Sequence, residues 1–395
     1  MIRITFDRLA FVLSVVCILA VTLYPAYAQE VTTEAEYAAL MDAETGNLIY
    51  SKNAREPMAP ASMTKLMTSL IVFDKLKNGE LSLDDKFFVS VNAWKKGGSK
   101  MWVQEGTQIR VEDLLRGIIV QSGNDACIVV AEALAGTEER FAEMMTERGV
   151  EIGLKNTVFK NSTGWPDPEH LTTAEDLALI ARYIVTNHPE YYDYYKEVEF
   201  TWEGIRQPNR NPLLYVDSTA DGLKTGHTEA SGYGLVGSAL RKGRRLIVVV
   251  NGLDSEKERK IHSKRLLDIG FREFKNYDLY AAGTKVEKAK VWNGRKRTVG
   301  LEVREPISVV MHRRARKDIK ASINYTGPLA APIDSSQQVG TLVISAPGLG
   351  PLEYPVFPTE DVSKTGMFGQ MGTALKHLLL PKPETEVAAT ETSDG

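Results

Sequence analysis

The sequence predicts an α/β chain of the α+β type in two parts: one antiparallel sheet covered by helices, then a small all-β sandwich. Three observations carry this. Residues 29–275 open on a hairpin pattern, close on strand patterns and hold helical patterns between them, as expected when both ends of a domain join one sheet. From Tyr277 the texture changes to short apolar runs broken by Gly, Pro, Asn and Asp. At 395 residues, the chain exceeds one ordinary domain.

The start stands apart from the fold. Arg3 and Arg8 precede the apolar run from Leu9 to Leu23, which is followed by Ala26-Tyr27-Ala28. A charged region, an apolar region and a small-x-small site predict a signal peptide over residues 1–28. A retained anchor is the alternative, and the run is short for a bilayer span. Cleavage removes Cys17 and leaves Cys127, whose neighbours Ala126, Ile128, Val129 and Val130 predict a buried thiol rather than a nucleophile. Lys and Arg number 48 against 51 Asp and Glu, a net charge of −3 in which nothing suggests a nucleic-acid binder. With no Cys/His set at metal-ligand spacing and no Gly-rich phosphate loop, neither metal nor cofactor is expected.

Tyr37–Met41 and Asn47–Tyr50 flank the turn-rich Asp42-Ala43-Glu44-Thr45-Gly46 and read as a hairpin. Met63, Leu66, Met67, Leu70, Ile71 and Leu76 recur at helical spacing to about Lys77, predicting a helix buried along one face. Pro60 and Ser62 suit its start. Residues 112–121 and 125–135 read as two apolar helices joined by the tight turn Gln121-Ser122-Gly123-Asn124. An amphipathic helix over 173–187 follows the loop Trp165-Pro166-Asp167-Pro168. Asp221–Thr228 reads as a strand end on the edge of a hairpin formed by Tyr233–Leu240 and Leu246–Val250. A helix over about 255–274 closes the domain.

Three short motifs carry the chemistry. Ser62 and Lys65 lie three apart, hence one turn from each other on a helix. A serine is a weak nucleophile until a base takes its proton, which a partly desolvated lysine can do. A hydroxyl there also sits near the positive end of the helix dipole. Alone, the pair reads as a capping serine and a solvated lysine. Ser-x-x-Lys occurs once, Ser-x-Asn four times (Ser51, Ser90, Ser122, Ser322) and Lys-Thr-Gly twice (Lys224, Lys364). Order, spacing and context select Ser122 with Asn124, in an inter-helix turn, and Lys224, at a strand edge.

Pro60–Lys65, Gln121–Ala126, Asp221–Thr228 and the stretch Ile205-Arg206-Gln207-Pro208-Asn209-Arg210-Asn211 together resemble the low-molecular-mass penicillin-binding proteins that are serine-type D-alanyl-D-alanine carboxypeptidases. The resemblance covers most of residues 32–275 and continues more loosely to about 380. It implies a β-lactamase/transpeptidase-like catalytic domain over 29–275 and an all-β domain over 276–362. Gly123 stands where class A β-lactamases carry Asp, which favours the peptidase. By this resemblance Ser62 is the nucleophile and Lys65 its base, while Ser122 and Asn124 relay a proton and orient the substrate amide. Lys224 supplies positive potential for the terminal carboxylate and helps keep Lys65 neutral. Thr225 hydrogen-bonds that carboxylate, and Gly226 lets substrate backbone lie along the strand. The N–H groups of Ser62 and His227 form the oxyanion site, and Arg259 matches an arginine that holds the same carboxylate. A solvated helix-face arginine is the alternative there.

The implied partners are peptidoglycan pentapeptide stems and β-lactams as covalent inhibitors, in the periplasm. A triad reading of His227 is disfavoured, because Lys65 is nearer the nucleophile and no Gly-x-Ser-x-Gly surrounds Ser62. A β-lactamase or endopeptidase on the same scaffold is the nearest rival. The first of these needs a second base, and Glu169 lies in the right general region without the matching motif. A catalytically silent scaffold or β-lactam-binding protein is the rival of another class, and intact Ser62, Lys65 and Lys224 argue against it. Met367, Phe368, Met371, Leu375, Leu378 and Leu379 share one helical face within 364–380. In the family such a helix lies on the membrane; packing on the protein body is the alternative. Residues 381–395 are acidic, poor in apolar residues and expected to be disordered.

Overall fold

The computed structural model describes residues 32–366 and 387–390, so the expected signal peptide lies outside the described residues. The sheet is as expected. Strands β1 (Tyr37–Asp42) and β2 (Leu48–Lys52) form the first hairpin. Strands β3 (Ala220–Thr228), β4 (Gly232–Arg241) and β5 (Arg244–Leu253) come at the other end of the domain. The order is β2-β1-β5-β4-β3, and β1 pairs with β5 from Tyr37↔Asn251 to Asp42↔Leu246. The two ends of the domain thus close one antiparallel sheet, with β3 at its edge.

Alternation along β5 covers both faces of the sheet. Ile247 and Val249 join the large core beneath the helices between the two strand groups. Leu246 points the other way, where Gly270 of helix α6 (Glu256–Glu273) comes against it and Leu40. The other helices of nine residues or more are α1 (Lys65–Lys77), α2 (Val111–Ile119), α3 (Asn124–Ala135), α4 (Glu138–Glu151) and α5 (Ala174–Asn187).

Two differences from the expectations have clear causes. Ten of the 13 residues of α1 are buried, not one face only, because the helix is enclosed by α2, α4 and α5. Its polar residues are therefore paired inside, Thr68 Oγ1 donating to Ser162 O over 2.6 Å and Ser69 Oγ to Lys65 O over 2.9 Å. Helix α4 is not among the expected helices, since its Glu- and Arg-rich sequence masks a short buried stripe of Phe141, Ala142 and Met145 behind a Thr137 cap.

The C-terminal part is all β. Strands β6 (Phe274–Tyr280) and β9 (Ile307–His312) form a two-stranded sheet. A seven-stranded sheet has the order β11-β7-β8-β13-β12-β10-β14. Its members are β7 (Lys285–Trp292), β8 (Thr298–Glu302), β10 (Lys320–Tyr325), β11 (Leu329–Ala330), β12 (Gly340–Ala346), β13 (Leu349–Pro358) and β14 (Val387–Thr390). Both sheets feed one core that includes Val299, Leu301, Val309, Ile323, Leu342 and Val356, separate from the helical core.

Two expectations at the C-terminus change. Lys364 bridges to Gly294, and Thr365 N donates to Asn293 O over 2.8 Å, so these residues finish the β domain rather than begin a helix. The rest of the expected amphipathic helix, 367–380, lies outside the described residues. Within the tail expected to be disordered, Val387–Thr390 pairs with Ser322 and its neighbours as an added edge strand. Edge pairing uses backbone groups, so a sequence poor in apolar residues can still form it.

Candidate active site

Ser62 lies in a 3₁₀ turn, Ala61–Thr64, that leads directly into α1. No side chain caps the turn or α1. The serine hydroxyl is therefore not engaged as a cap. Lys65 Nζ donates instead to Ser62 Oγ over 3.0 Å, to Asn124 Oδ1 over 2.8 Å and to Thr163 O over 2.6 Å. The neutral amine has two N–H bonds and one lone pair. Asn124 Oδ1 and Thr163 O accept the two protons, and the lone pair is left for the serine hydroxyl.

Lys65 is 1% exposed, and burial lowers its pKa to about 8, since the charged form loses its hydration. The cation that adds to this lowering is Arg210, while Cys127, Asp125 and Glu138 oppose it. Arg210 thus adds to the part the sequence reading assigns to Lys224, whose own charge and that of Lys65 act on each other. Lys224 is also buried and is pushed well below its ordinary value, first by burial and then by Lys65.

The Ser122 turn joins α2 to α3 with Ser122 at φ +61°. Asn124 opens α3, its Nδ2 donating to Gly97 O over 2.9 Å and its N–H to Ser99 O over 2.7 Å. The Asp125 carboxylate accepts the N–H groups of Met101, Trp102 and Val103, holding the 97–103 segment against the motif. On β3, Lys224 Nζ donates to Ser122 Oγ over 2.9 Å. Thr225 is buried beside it. Gly226 also has a packing role. A Cβ there would lie 2.9 Å from Pro60 O and 3.3 Å from Ala61 Cβ, so its bare backbone lets β3 press against the Ser62 turn.

His227 is exposed, stacked on Tyr233 with ring centroids 3.8 Å apart, and its Nδ1 faces Gly232 O at 3.2 Å. Among the described hydrogen bonds no carboxylate orients it, which gives the triad reading no support. Arg259 is buried on α6, not solvated. Its guanidinium lies 5.6 Å from the Tyr233 ring centroid, its contact with Glu256 is 3.5 Å long, and its Nε has no partner among the described residues. A buried cation with an unused donor suits an anionic ligand. Glu169 is exposed and pairs with Lys160 at 3.0 Å, which leaves the β-lactamase rival without its base. Cys127 is buried with its thiol pushed up to about 12, largely by desolvation, so it is no nucleophile.

Two contributors escaped the sequence reading. Arg210 lies in the quoted 205–211 stretch, where Asn209 and Asn211 shape a turn and Arg210 Nη1 donates to Ser99 Oγ over 2.7 Å. Thr163 supplies only a backbone carbonyl, for which no residue type signals. Its loop is organised by Asn161 Oδ1, which accepts from the N–H groups of Thr163, Gly164 and Trp165.

Residues 25–255 match the family of D-alanyl-D-alanine carboxypeptidases, and residues 274–364 match the C-terminal domain of penicillin-binding protein 5. The chain belongs to the D-alanyl-D-alanine carboxypeptidase family. It is 38% identical over 359 residues to the D-alanyl-D-alanine carboxypeptidase DacC of Escherichia coli, covering 88% of this chain and 90% of that one. It is 36% identical over 344 residues to DacF of Bacillus subtilis, covering 85% and 88%. Penicillin-binding protein 5 from Haemophilus influenzae superposes with a TM-score of 0.75 at 35% identity, covering 84% of this chain and 98% of that one. Penicillin-binding protein D2 from Listeria monocytogenes, in an ampicillin-bound form, superposes at 0.56 with 28% identity, covering 61% and 98%. As a member of this family, the protein is a D-Ala-D-Ala carboxypeptidase of peptidoglycan metabolism, with a helix-and-sheet catalytic domain followed by a β-sheet domain.

Proposed function

We propose that Ser62 is the acylated residue of this carboxypeptidase and Lys65 its general base. The observation that carries the reading is the 3.0 Å contact between Ser62 Oγ and a fully buried Lys65 Nζ whose pKa is lowered to about 8. Ser62 Oγ attacks the carbonyl carbon of the penultimate D-Ala as its proton passes to Lys65 Nζ. The tetrahedral oxyanion is met by the N–H groups of Ser62 and His227. Collapse breaks the C–N bond, and the departing D-Ala amine receives a proton along Lys65 and Ser122, which Lys224 orients. Asn124 holds the substrate amide. Lys224, Thr225 and Arg259 take the terminal carboxylate. Water then hydrolyses the ester and restores Ser62. In a β-lactam the cleaved amide nitrogen stays tethered to the acyl group, so the ester persists and the inhibitor is trapped.

We further propose that residues 1–28 export the chain to the periplasm, that the catalytic domain spans 29–275 and the β domain 276–366, and that the segment 367–380 contacts the inner membrane peripherally. The two separate cores support the division. No described helix is long and apolar enough to cross a membrane. D-Ala release from a purified pentapeptide tests the activity, and mapping of a covalent reporter β-lactam tests the residue. Ser62→Ala should lose both turnover and label; a label mapped to another serine would overturn the assignment.

A further inference from the structure

The end of the β domain that joins the catalytic domain carries a concentration of positive charge that the reaction described above does not use. Helix α6 ends at Glu273, β6 begins at Phe274, and Phe274 pairs with His312 at the end of β9. A 3₁₀ turn, Arg313–Asp318, follows directly. Arg313, Arg314, Arg316 and Lys317 are exposed on this turn, and Lys275 is exposed beside it on β6. We propose that this patch binds the peptidoglycan polymer through the free carboxylates of its stem peptides, apart from the stem whose D-Ala is being released. The inference rests on the carboxypeptidase reading, which makes that polymer the substrate.

Charge argues for it first. Among the described residues, none of these five cations is in an ion pair. The acids nearby are Glu273, Asp278 and Asp318. Glu273 is held by Arg272 at 2.6 Å, and Asp278 accepts from Ser308 Oγ. The chain as a whole has a net charge of −3, so the positive excess belongs to this patch and not to the molecule. The patch is also built. Ala315 is buried and pins the turn, and His312 Nδ1 accepts the Arg314 N–H over 3.2 Å. Arg316 and Lys275 stand over the same Tyr277 ring, 5.2 and 5.6 Å from its centroid. Cations held on one ring keep their N–H donors free for carboxylates.

Position selects the polymer over a lipid surface. In the seven-stranded sheet, Lys320 pairs with Ser345 at the end next to the turn. Toward the other end Gly340 pairs with Val356 and Leu301 with Pro358. Lys364 bridges to Gly294 at that other end. A membrane met by the segment beyond Gly366 therefore lies at the far end of the sheet from Arg313–Lys317, while the catalytic domain joins at the near end. Stems with a free C-terminus make the polymer a polyanion, and one strand can then engage the patch and the active site together. The first contact raises the local concentration for the second.

The test measures co-sedimentation of purified mature protein with insoluble peptidoglycan, and D-Ala release from that polymer and from a soluble pentapeptide. The variant combines Arg313→Gln, Arg314→Gln, Arg316→Gln and Lys317→Gln. Its control, Arg295→Gln with Arg297→Gln, removes positive charge at the opposite end of the sheet. Each exposed charge pair contributes a factor of about 1.4 to 5, so the patch variant should bind the polymer at least about fourfold more weakly. D-Ala release from the polymer should fall in step, while release from the soluble pentapeptide stays within about twofold of wild type. Wild-type binding should weaken between about 0.05 and 0.5 M salt as the charges are screened, and the control should bind like wild type. Circular dichroism follows the fold; if the combined variant unfolds, Arg313→Gln with Lys317→Gln replaces it, with at least about twofold weaker binding expected. Undiminished polymer binding by a folded patch variant, or an equal loss in the control, overturns the proposal while leaving the activity standing. So does a patch variant that keeps the polymer but loses vesicles of phosphatidylglycerol and phosphatidylcholine. Absence of D-Ala release from the soluble pentapeptide by wild type overturns the carboxypeptidase reading itself.

Discussion

Lys224 Nζ lies 2.9 Å from Ser122 Oγ, across 102 residues of chain, and this contact repeats the Lys65–Ser62 pair in the same site. Two serine hydroxyls are each held by a buried lysine. The arrangement gives one hydroxyl the nucleophile's place and the other a place on the proton's return path.

Lys65→Arg should be nearly as damaging as Ser62→Ala. Arg stays protonated at any usable pH and cannot accept the serine proton. General-base assistance is worth about 10²–10⁴ in rate, so acylation by a reporter β-lactam should fall at least that far. Circular dichroism would confirm the fold. A folded variant keeping more than about a tenth of wild-type acylation defeats the mechanism.

The pH profile follows from the same lysine. Its pKa is lowered from 10.5 to about 8, and the neutral amine is the active form. The second-order acylation rate should therefore rise with pH, about tenfold per unit below 8, and level off above it. Arg210→Gln removes a charge that lowers this pKa, so the midpoint should move up. An unchanged or lower midpoint would remove Arg210 from the account.

Gly164→Ala probes the support of the nucleophile. Gly164 has φ +78°, and a Cβ there would sit 1.8 Å from Ala61 O. Overpacking costs about 1–3 kcal/mol, and a left-handed conformation about 1–2 kcal/mol more. Thermal unfolding should shift down by several degrees, with slower acylation at Ser62 because Ala61 carries its turn. A variant with unchanged melting and acylation would show that the loop does not brace that turn.

Arg259→Gln should act through the substrate carboxylate. A hydrogen bond to a charged group is worth about 1.5–3 kcal/mol, so kcat/KM for a free-acid peptide should fall about ten- to hundredfold. The C-terminal amide of the same peptide should be affected far less. Equal losses on both substrates would make Arg259 a structural residue.

Truncation after Gly366 should move the protein into the soluble fraction of a cell lysate with peptide turnover nearly unchanged. The cut belongs there because Lys364 and Thr365 are part of the β domain. Full-length mature protein that is soluble without detergent would sink the membrane proposal.

The sequence by itself determined what is local. Ser62 and Lys65 are three residues apart, and a helical start alone makes them neighbours. Alternation marked β4, an apolar run marked β5, and the polar turn between two apolar helices marked Ser122 and Asn124. Only the tertiary structure decided which repeated motif matters: Lys224 reaches Ser122, whereas Lys364 bridges to Gly294 in the β domain. It also turned an ambiguous Arg259 into a buried cation, recruited Arg210 and the Thr163 carbonyl, and left His227 stacked on Tyr233. The reason is physical. A lysine becomes a base through burial and neighbouring charge, and both are set by chain segments about 60 to 150 residues away that no spacing within one motif can encode.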